Sequence, residues 1–378
     1  MESNLPPATP GAPPPLNAPP PIIAPPRTPP RKSRGWMVIS IILFVLLGIS
    51  LLANFSQFLD SFASLGGGGH QRSGAPRLDE VVLEDNHSSE KIAVVPVEGI
   101  ISGNFGDRGG FSMVNIIEAQ LERAEKDKRV KAVILKVDSP GGEVLASDDI
   151  ARTLREFQDS SKKPVIVSMG SLAASGGYYV SAPCTWIVAN ELTITGSIGV
   201  IMQGFNYRGL MDKVGLRPEV FKSGKFKDML RGSKAPEEIT PEERAMIQKL
   251  IDDTYARFKS VVAEGRKEAQ KNNSDAKALA ENWADYADGR ILSGKEAYEL
   301  GFVDQLGSFD DAVAKAKELG SITDDANVVE YRQRNELAEL FGLFGQAEGR
   351  QTIQVDLGLD LPKLQAGRMY FLSPLFLH

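Results

Sequence analysis

Apolar and polar positions alternate along most of the chain in a way that predicts strands separated by helices. From Lys91 the run Ile92-Ala93-Val94-Val95-Pro96-Val97 is apolar and largely β-branched, which predicts a strand. Between Ser112 and Lys128, Val114, Ile117, Leu121 and Ala124 recur every three or four residues, the spacing of a helix with one buried face. Val130–Val137 reads as a second strand, Val144–Phe157 as a helix and Pro164–Met169 as a third strand. Trp186–Ala189 and Arg217–Phe221 read as a fourth and a fifth. Such alternation implies βαβ units and an α/β fold with a mostly parallel sheet. Residues 236–270 read as one long helix. Thr240 is its N-cap, Pro241 suits the first helical position, and Glu243 stands at the capping-box position. Met246, Ile247, Leu250, Ile251, Tyr255, Phe258 and Val262 form its apolar stripe. Residues 271–288 are polar and loop-rich, and no repeat of 20–50 residues is visible.

The N-terminal stretch has a different texture. Residues 1–30 hold 13 of the 23 prolines, and proline fixes φ and lacks an amide donor. Residues 1–34 are therefore expected to be a disordered cytoplasmic tail, with docking to a proline-binding module as a second use. Arg27, Arg31, Lys32 and Arg34 precede Gly35–Leu59, which contains no charged residue. A membrane span needs roughly 20 apolar residues, so 35–59 is expected to be one transmembrane helix. A cleaved signal peptide would have a shorter apolar region of about 7–15 residues. The positive-inside rule places the N-terminus in the cytoplasm and exports the rest. The expected location is the inner (cytoplasmic) membrane, single-pass, with the functional domain outside the cytoplasm. Residues 60–88, with Gly66–Gly69, are expected to be a flexible linker.

Composition narrows the chemistry. The 378 residues are 42% hydrophobic and 24% charged with net charge −6, which excludes a fully disordered chain and a multi-span membrane protein. The acidic balance argues against nucleic acid as a partner. The single cysteine, Cys184, excludes an intrachain disulfide and any multi-cysteine metal site. The three histidines lie in a glycine run (His70), a polar stretch (His87) and at the last residue (His378). A hydrolase built from this chain is expected to work without a histidine base, a metal or another cofactor.

Two glycine-rich turns follow predicted strands: Asp138-Ser139-Pro140-Gly141-Gly142-Glu143 and Gly170-Ser171-Leu172-Ala173-Ala174-Ser175-Gly176-Gly177-Tyr178. Glycines there expose backbone amides, which suit a phosphate or an acyl oxyanion. Neither turn has the P-loop or dinucleotide spacing, so the oxyanion reading is preferred. Small neighbours give Ser175 room to attack a substrate carbonyl, although such runs also open closely packed helices. A serine without histidine needs another base, and the Ser–Lys pair is the recognised variant. Lys222, Lys225 and Lys227 lie together in one segment, and spacing does not choose among them.

Four motifs in order carry a resemblance: Asp-Ser-Pro-Gly-Gly (138–142), Gly-Ser-Leu-Ala-Ala-Ser-Gly-Gly-Tyr-Tyr (170–179), Thr-Gly-Ser-Ile-Gly-Val (195–200) and Lys-Ser-Gly-Lys-Phe-Lys-Asp (222–228). Together with 289–297 and 300–304, they resemble the signal peptide peptidase A family of membrane-anchored serine peptidases, in its short single-unit form, over residues 91–310. The resemblance implies a ClpP/crotonase-like repeated ββα spiral. It implies Ser175 as nucleophile, Lys227 as general base and Ser197 as the residue orienting the lysine. The oxyanion hole is implied at the amides of Gly142 and Gly176. It further implies a homo-oligomeric ring acting on signal-peptide remnants or other membrane-associated peptides, with the dyad formed within a chain or across a contact. The peptidase domain is expected at 89–325 and a loosely ordered C-terminal extension at 326–378. A catalytically silent scaffold or quality-control partner of the same fold and a crotonase-type acyl-CoA enzyme are the alternatives.

Overall fold

The computed structural model describes residues 40, 43–45, 47–48, 76–103, 111–333 and 370–372. The chain divides into two units, residues 1–70 and 71–378. In the first, residues 43–45 and 47–48 are helical. The expected tail lies outside the described residues, as does most of the expected span. Among the described residues no helix is long and apolar enough to cross a membrane.

The second unit begins with strands β1 (Leu78–Glu84) and β2 (Lys91–Glu98), then helix α1 (Met113–Lys126). Strand β3 (Val130–Ser139), the short β4 (Gly141–Glu143), helix α2 (Val144–Ser161) and strand β5 (Val165–Ala173) follow. Next come α3 (Gly176–Ser181), β6 (Trp186–Ala189), β7 (Ile194–Gly196), α4 (Arg208–Lys213) and the long α5 (Pro241–Asn272). The chain continues through β8 (Ile291–Ser293), α6 (Gly294–Glu299), β9 (Gln305–Leu306), α7 (Phe309–Leu319), β10 (Asn327–Gln333) and β11 (Tyr370–Leu372).

The central sheet runs β1-β10-β2-β3-β5-β6-β9, and every neighbouring pair is parallel except β1 with β10. Strands buried on both faces are apolar at successive positions, and β2 shows how the two faces are divided. Ala93, Val95 and Val97, with Val133, Leu135 and Val137 of β3, join the core formed with α1, α2 and α3. Ile92, Val94, Ala132 and Ile134 turn the other way and pack with Ala312, Val313 and Ala316 of α7. Helix α5 starts as its sequence predicts. Thr240 Oγ1 accepts from Glu243 N at 3.2 Å, and Glu243 Oε2 accepts from Thr240 N at 3.3 Å. Its C-terminal half is buried through Phe258, Val261, Val262 and Ala269, whereas Met246 and Leu250 near its start are exposed.

Three segments differ from the sequence expectation. Arg217–Phe221 forms no strand; it is an exposed loop with Phe221 95% accessible, and no sheet edge receives it. Leu78–Glu84, within the expected linker, is a strand, and Asn327–Gln333, within the expected extension, is another. β10 inserts between β1 and β2 and buries Val328, Val329 and Tyr331. The pairing joins positions about 250 residues apart, such as Leu78 with Gln333, and local periodicity carries no information about it.

Arg266 and Asp304 are buried and form an ion pair beneath the sheet. Arg266 also donates to the carbonyl of Cys184 at 3.2 Å. Asp304 accepts from the amides of Ile187 at 2.8 Å and Lys277 at 2.9 Å, tying β6 to the segment after α5. Removing one partner leaves an uncompensated charge in the core. Arg266→Met or Asp304→Asn should each lower unfolding stability by about 3–5 kcal/mol in a denaturant titration. A change below about 1 kcal/mol would show that the pair does not brace the fold.

Candidate active site

The two glycine turns lie at the carboxyl ends of β3 and β5, adjacent parallel strands, where open α/β sheets place their ligands. β4 leaves the first turn and is clamped against Ile101: Ile101 N donates to Gly141 O at 2.9 Å, and Glu143 N donates to Ile101 O at 2.8 Å. A Cβ at Gly142 would lie 2.0 Å from Ile101 O. A Cβ at Gly176 would lie 2.8 Å from Ser147 Oγ and 3.0 Å from Gly142 N. Only glycine lets these two backbones come this close. The amide of Gly176 is that of the first residue of α3, so it has no acceptor within the helix.

Ser175 sits at the junction of β5 and α3 with φ 56° and ψ −116°, a region that L-residues rarely adopt. Its amide donates to Gly196 O at 2.8 Å, and Ala174 N donates to Ser139 O at 3.1 Å. These bonds tie the serine to both the β7 turn and the β3 turn. The side chain is 1% exposed, does not cap α3, and leaves Oγ without a hydrogen-bond partner. A buried hydroxyl with no partner costs free energy unless something else, here a reacting group, is meant to meet it.

Ser197 is the next residue after Gly196 and is also buried with positive φ (51°). Its amide donates to Arg290 O at 2.7 Å. Arg290 grips Asp288 with two bonds of 2.7 and 2.8 Å, and that guanidinium holds the Asp288 carboxyl at about 2. The structure thus brings together Ser175, Gly142, Gly176 and the turn that carries Ser197.

Lys227 is not among them. It lies in an exposed loop, and no hydrogen bond joins it to Ser175. The loop does separate the candidate lysines. Lys222 donates to Asp228 at 2.7 Å, Lys225 pairs with Glu242, and Lys234, which the sequence reading passed over, pairs with Glu243. Among the described lysines of this segment, Lys227 alone has no carboxylate partner. The same stretch is apolar on its surface: Phe205 and Phe221 are more than four-fifths exposed, Leu210, Val214 and Leu230 more than half, and α4 buries no residue.

A groove runs beside the serine, and a segment of this chain lies in it. β11 pairs antiparallel with β4, Phe371 opposite Gly142. On its other side Tyr370 exchanges two 3.1 Å backbone bonds with Ile201. Phe371 is fully buried, stacked on Tyr179 at 4.8 Å with Phe258 at 4.7 Å. Tyr179 OH donates to Asp148, and burial together with that carboxylate pushes its phenol well above the usual range. Sequence reasoning missed this pocket, because Phe258 read as part of a helical stripe and Phe371 as part of a loose extension. Among the described residues no group of three or more His, Cys, Asp or Glu is arranged to hold a metal ion.

Comparison with known proteins places these motifs in context. The Peptidase family S49 profile matches residues 157–323. A putative signal peptide peptidase SppA of Enterococcus faecium is 36% identical over 306 residues, 79% of this chain and 84% of that one. A putative protease of Synechocystis is 42% identical over 200 residues, 53% of this chain and 67% of that one. The chloroplastic serine protease SPPA of Arabidopsis thaliana is 32% identical over 236 residues, 62% of this chain and 33% of that one.

The groove makes a direct prediction. A chain ending at residue 369 should bind a peptide containing Tyr-Phe-Leu more tightly than the full chain does, by at least about tenfold, as expected for the loss of an intramolecular competitor. Titration by fluorescence anisotropy measures this; equal affinity would mean that β11 does not occupy the groove in solution.

Proposed function

The chain belongs to the SppA family of serine peptidases, peptidase family S49, and on that premise we propose that it is a membrane-anchored endopeptidase using a Ser175–Lys227 dyad. The observation that carries this reading is the strained, buried Ser175 whose Oγ lacks a partner beside two closely set glycine amides. Ser175 attacks the scissile carbonyl, and Lys227 accepts its proton. The amides of Gly142 and Gly176 receive the oxyanion, where losing one donor typically costs about 2.7–4 kcal/mol. Lys227 then returns the proton to the leaving amine and activates the water that releases the acyl group. Ser197 orients the lysine. These roles fit a ClpP/crotonase-like arrangement of the mostly parallel sheet.

Substrates bind as an added strand between β4 and Ile201, the mode illustrated by β11, so extended peptides are favoured over folded proteins. Remnants of signal peptides and other membrane-associated peptides fit that requirement. The segment 35–59 anchors the enzyme in the inner membrane with the N-terminus in the cytoplasm and the peptidase domain outside it.

Lys227 reaches a serine by crossing to a neighbouring copy. Its loop is exposed, and the apolar surface around it suits burial against a second copy of this chain. The active unit in this reading is a homo-oligomeric ring in which each copy lends its lysine to the next.

Complementation tests the proposal. Ser175→Ala and Lys227→Ala should each reduce kcat/KM on a fluorogenic peptide by at least about a thousandfold. Co-expressed in equal amounts, they should recover roughly a quarter of wild-type activity, the random-mixing share of sites holding both intact residues. No recovery would show that the dyad does not cross between copies, and full activity in either single variant would remove the dyad itself.

A further inference from the structure

The loop that carries Lys227 is built around a carboxylate next to it in sequence. Asp228 Oδ1 accepts from Lys222 Nζ at 2.7 Å and lies 3.6 Å from Lys234 Nζ. Lys234 pairs in turn with Glu243 in the first turn of α5, and the side chains of Asp228, Lys234 and Glu243 are all less than a tenth exposed. Glu243 also receives the amide of Thr240, so the cluster ends in the capping box of α5. The Lys222 ammonium holds the Asp228 carboxyl below the usual carboxylate range. The Glu243 carboxylate, with Asp228 adding to it, holds the Lys234 ammonium above the usual lysine range. The other charged groups between this loop and the first turn of α5 are Glu237, Glu238, Arg244, Lys225 paired with Glu242, and Arg231, whose Nε and Nη1 are buried without a partner.

A free carboxylate beside a general-base lysine would stabilise the ammonium form and leave the base in the wrong state near neutral pH. We propose that Lys222, with Lys234 behind it, is a positioning residue: it holds Asp228 and balances its charge, so that Lys227 works as an uncharged base. The proposal rests on the reading of Lys227 as the base that meets Ser175. In the receiving site the charged groups on the elements around Ser175 include Glu143 of β4, Asp138 at the end of β3, which accepts from Leu172 N at 3.1 Å, Asp148, which accepts from Tyr179 and pairs with Arg257, and the Asp288–Arg290 pair behind Ser197. None of these is altered in the test.

The test is the pH profile of kcat/KM for the full-length, assembled protein. Lys222 is on the surface, so Lys222→Met keeps the fold, which thermal melting verifies. Removing this positive charge should move the activity limb upward by about half to one pH unit, and Asp228→Asn should move it downward by a similar amount. The double variant should return close to wild type, and Lys222→Arg, which keeps the charge, should show the wild-type limb. A limb that stays in place while kcat falls, or that moves the same way in both single variants, would overturn the proposal. If Asp228→Asn does not fold, the contrast between Lys222→Met and Lys222→Arg decides alone. Full activity in Lys227→Ala would instead remove the base reading on which the proposal rests, a failure distinct from an unmoved limb.

Discussion

The close approach of two backbones at Gly142 and Gly176 is the constraint on which the rest of the site depends. A Cβ on Gly176 would stand 3.0 Å from Gly142 N, and one on Gly142 would stand 2.0 Å from Ile101 O. With no side chains between them, the turns after β3 and β5 press together, and Ser175 is caught at their junction. Its φ of 56° is a strained state costing about 1–3 kcal/mol, which persists only where the surroundings over-determine it. Those surroundings are specific: the amide bond to Gly196 O, the Ala174 bond to Ser139 O, and a sheet packed on both faces.

The same geometry explains the groove. The Gly141 carbonyl and the Glu143 amide bond Ile101, so the alternation of a strand turns Gly142 the other way, toward whatever pairs with β4. In this chain β11 takes that place, and the aromatic pair Tyr179 and Phe258 encloses its central side chain. Main-chain pairing gives such a groove tolerance of sequence, and the aromatic pocket gives it a preference. Tyr179 belongs to the helix that Ser175 opens, so the pocket and the serine are positioned by one element.

Much of the architecture was legible locally. Ile92–Val97 and Val130–Val137 read as buried strands because both faces of β2 and β3 are covered, and Thr240 with Glu243 read as a helix start because the capping box is a contact between residues three apart. The glycine turns were legible for the same reason. What depended on distant pairing was not: β1 and β10 join residues about 250 positions apart, and β11 meets β4 across more than 220. Arg217–Phe221 misled because apolar β-branched and aromatic residues mark a strand and an exposed apolar surface alike. Lys227 was separable from Lys222 and Lys225 only through the family resemblance, whereas the ion pairs separate it physically, since each neighbour already holds a carboxylate.

The central claim is that the strained, partnerless hydroxyl of Ser175 is the nucleophile. The most direct measurement is peptide mapping by mass spectrometry after reaction of the assembled protein with a fluorophosphonate. A single adduct on Ser175, formed more slowly in the Lys227→Ala variant, is the predicted result. An adduct on any other serine, or none on an enzyme that still cleaves peptide, would contradict the account.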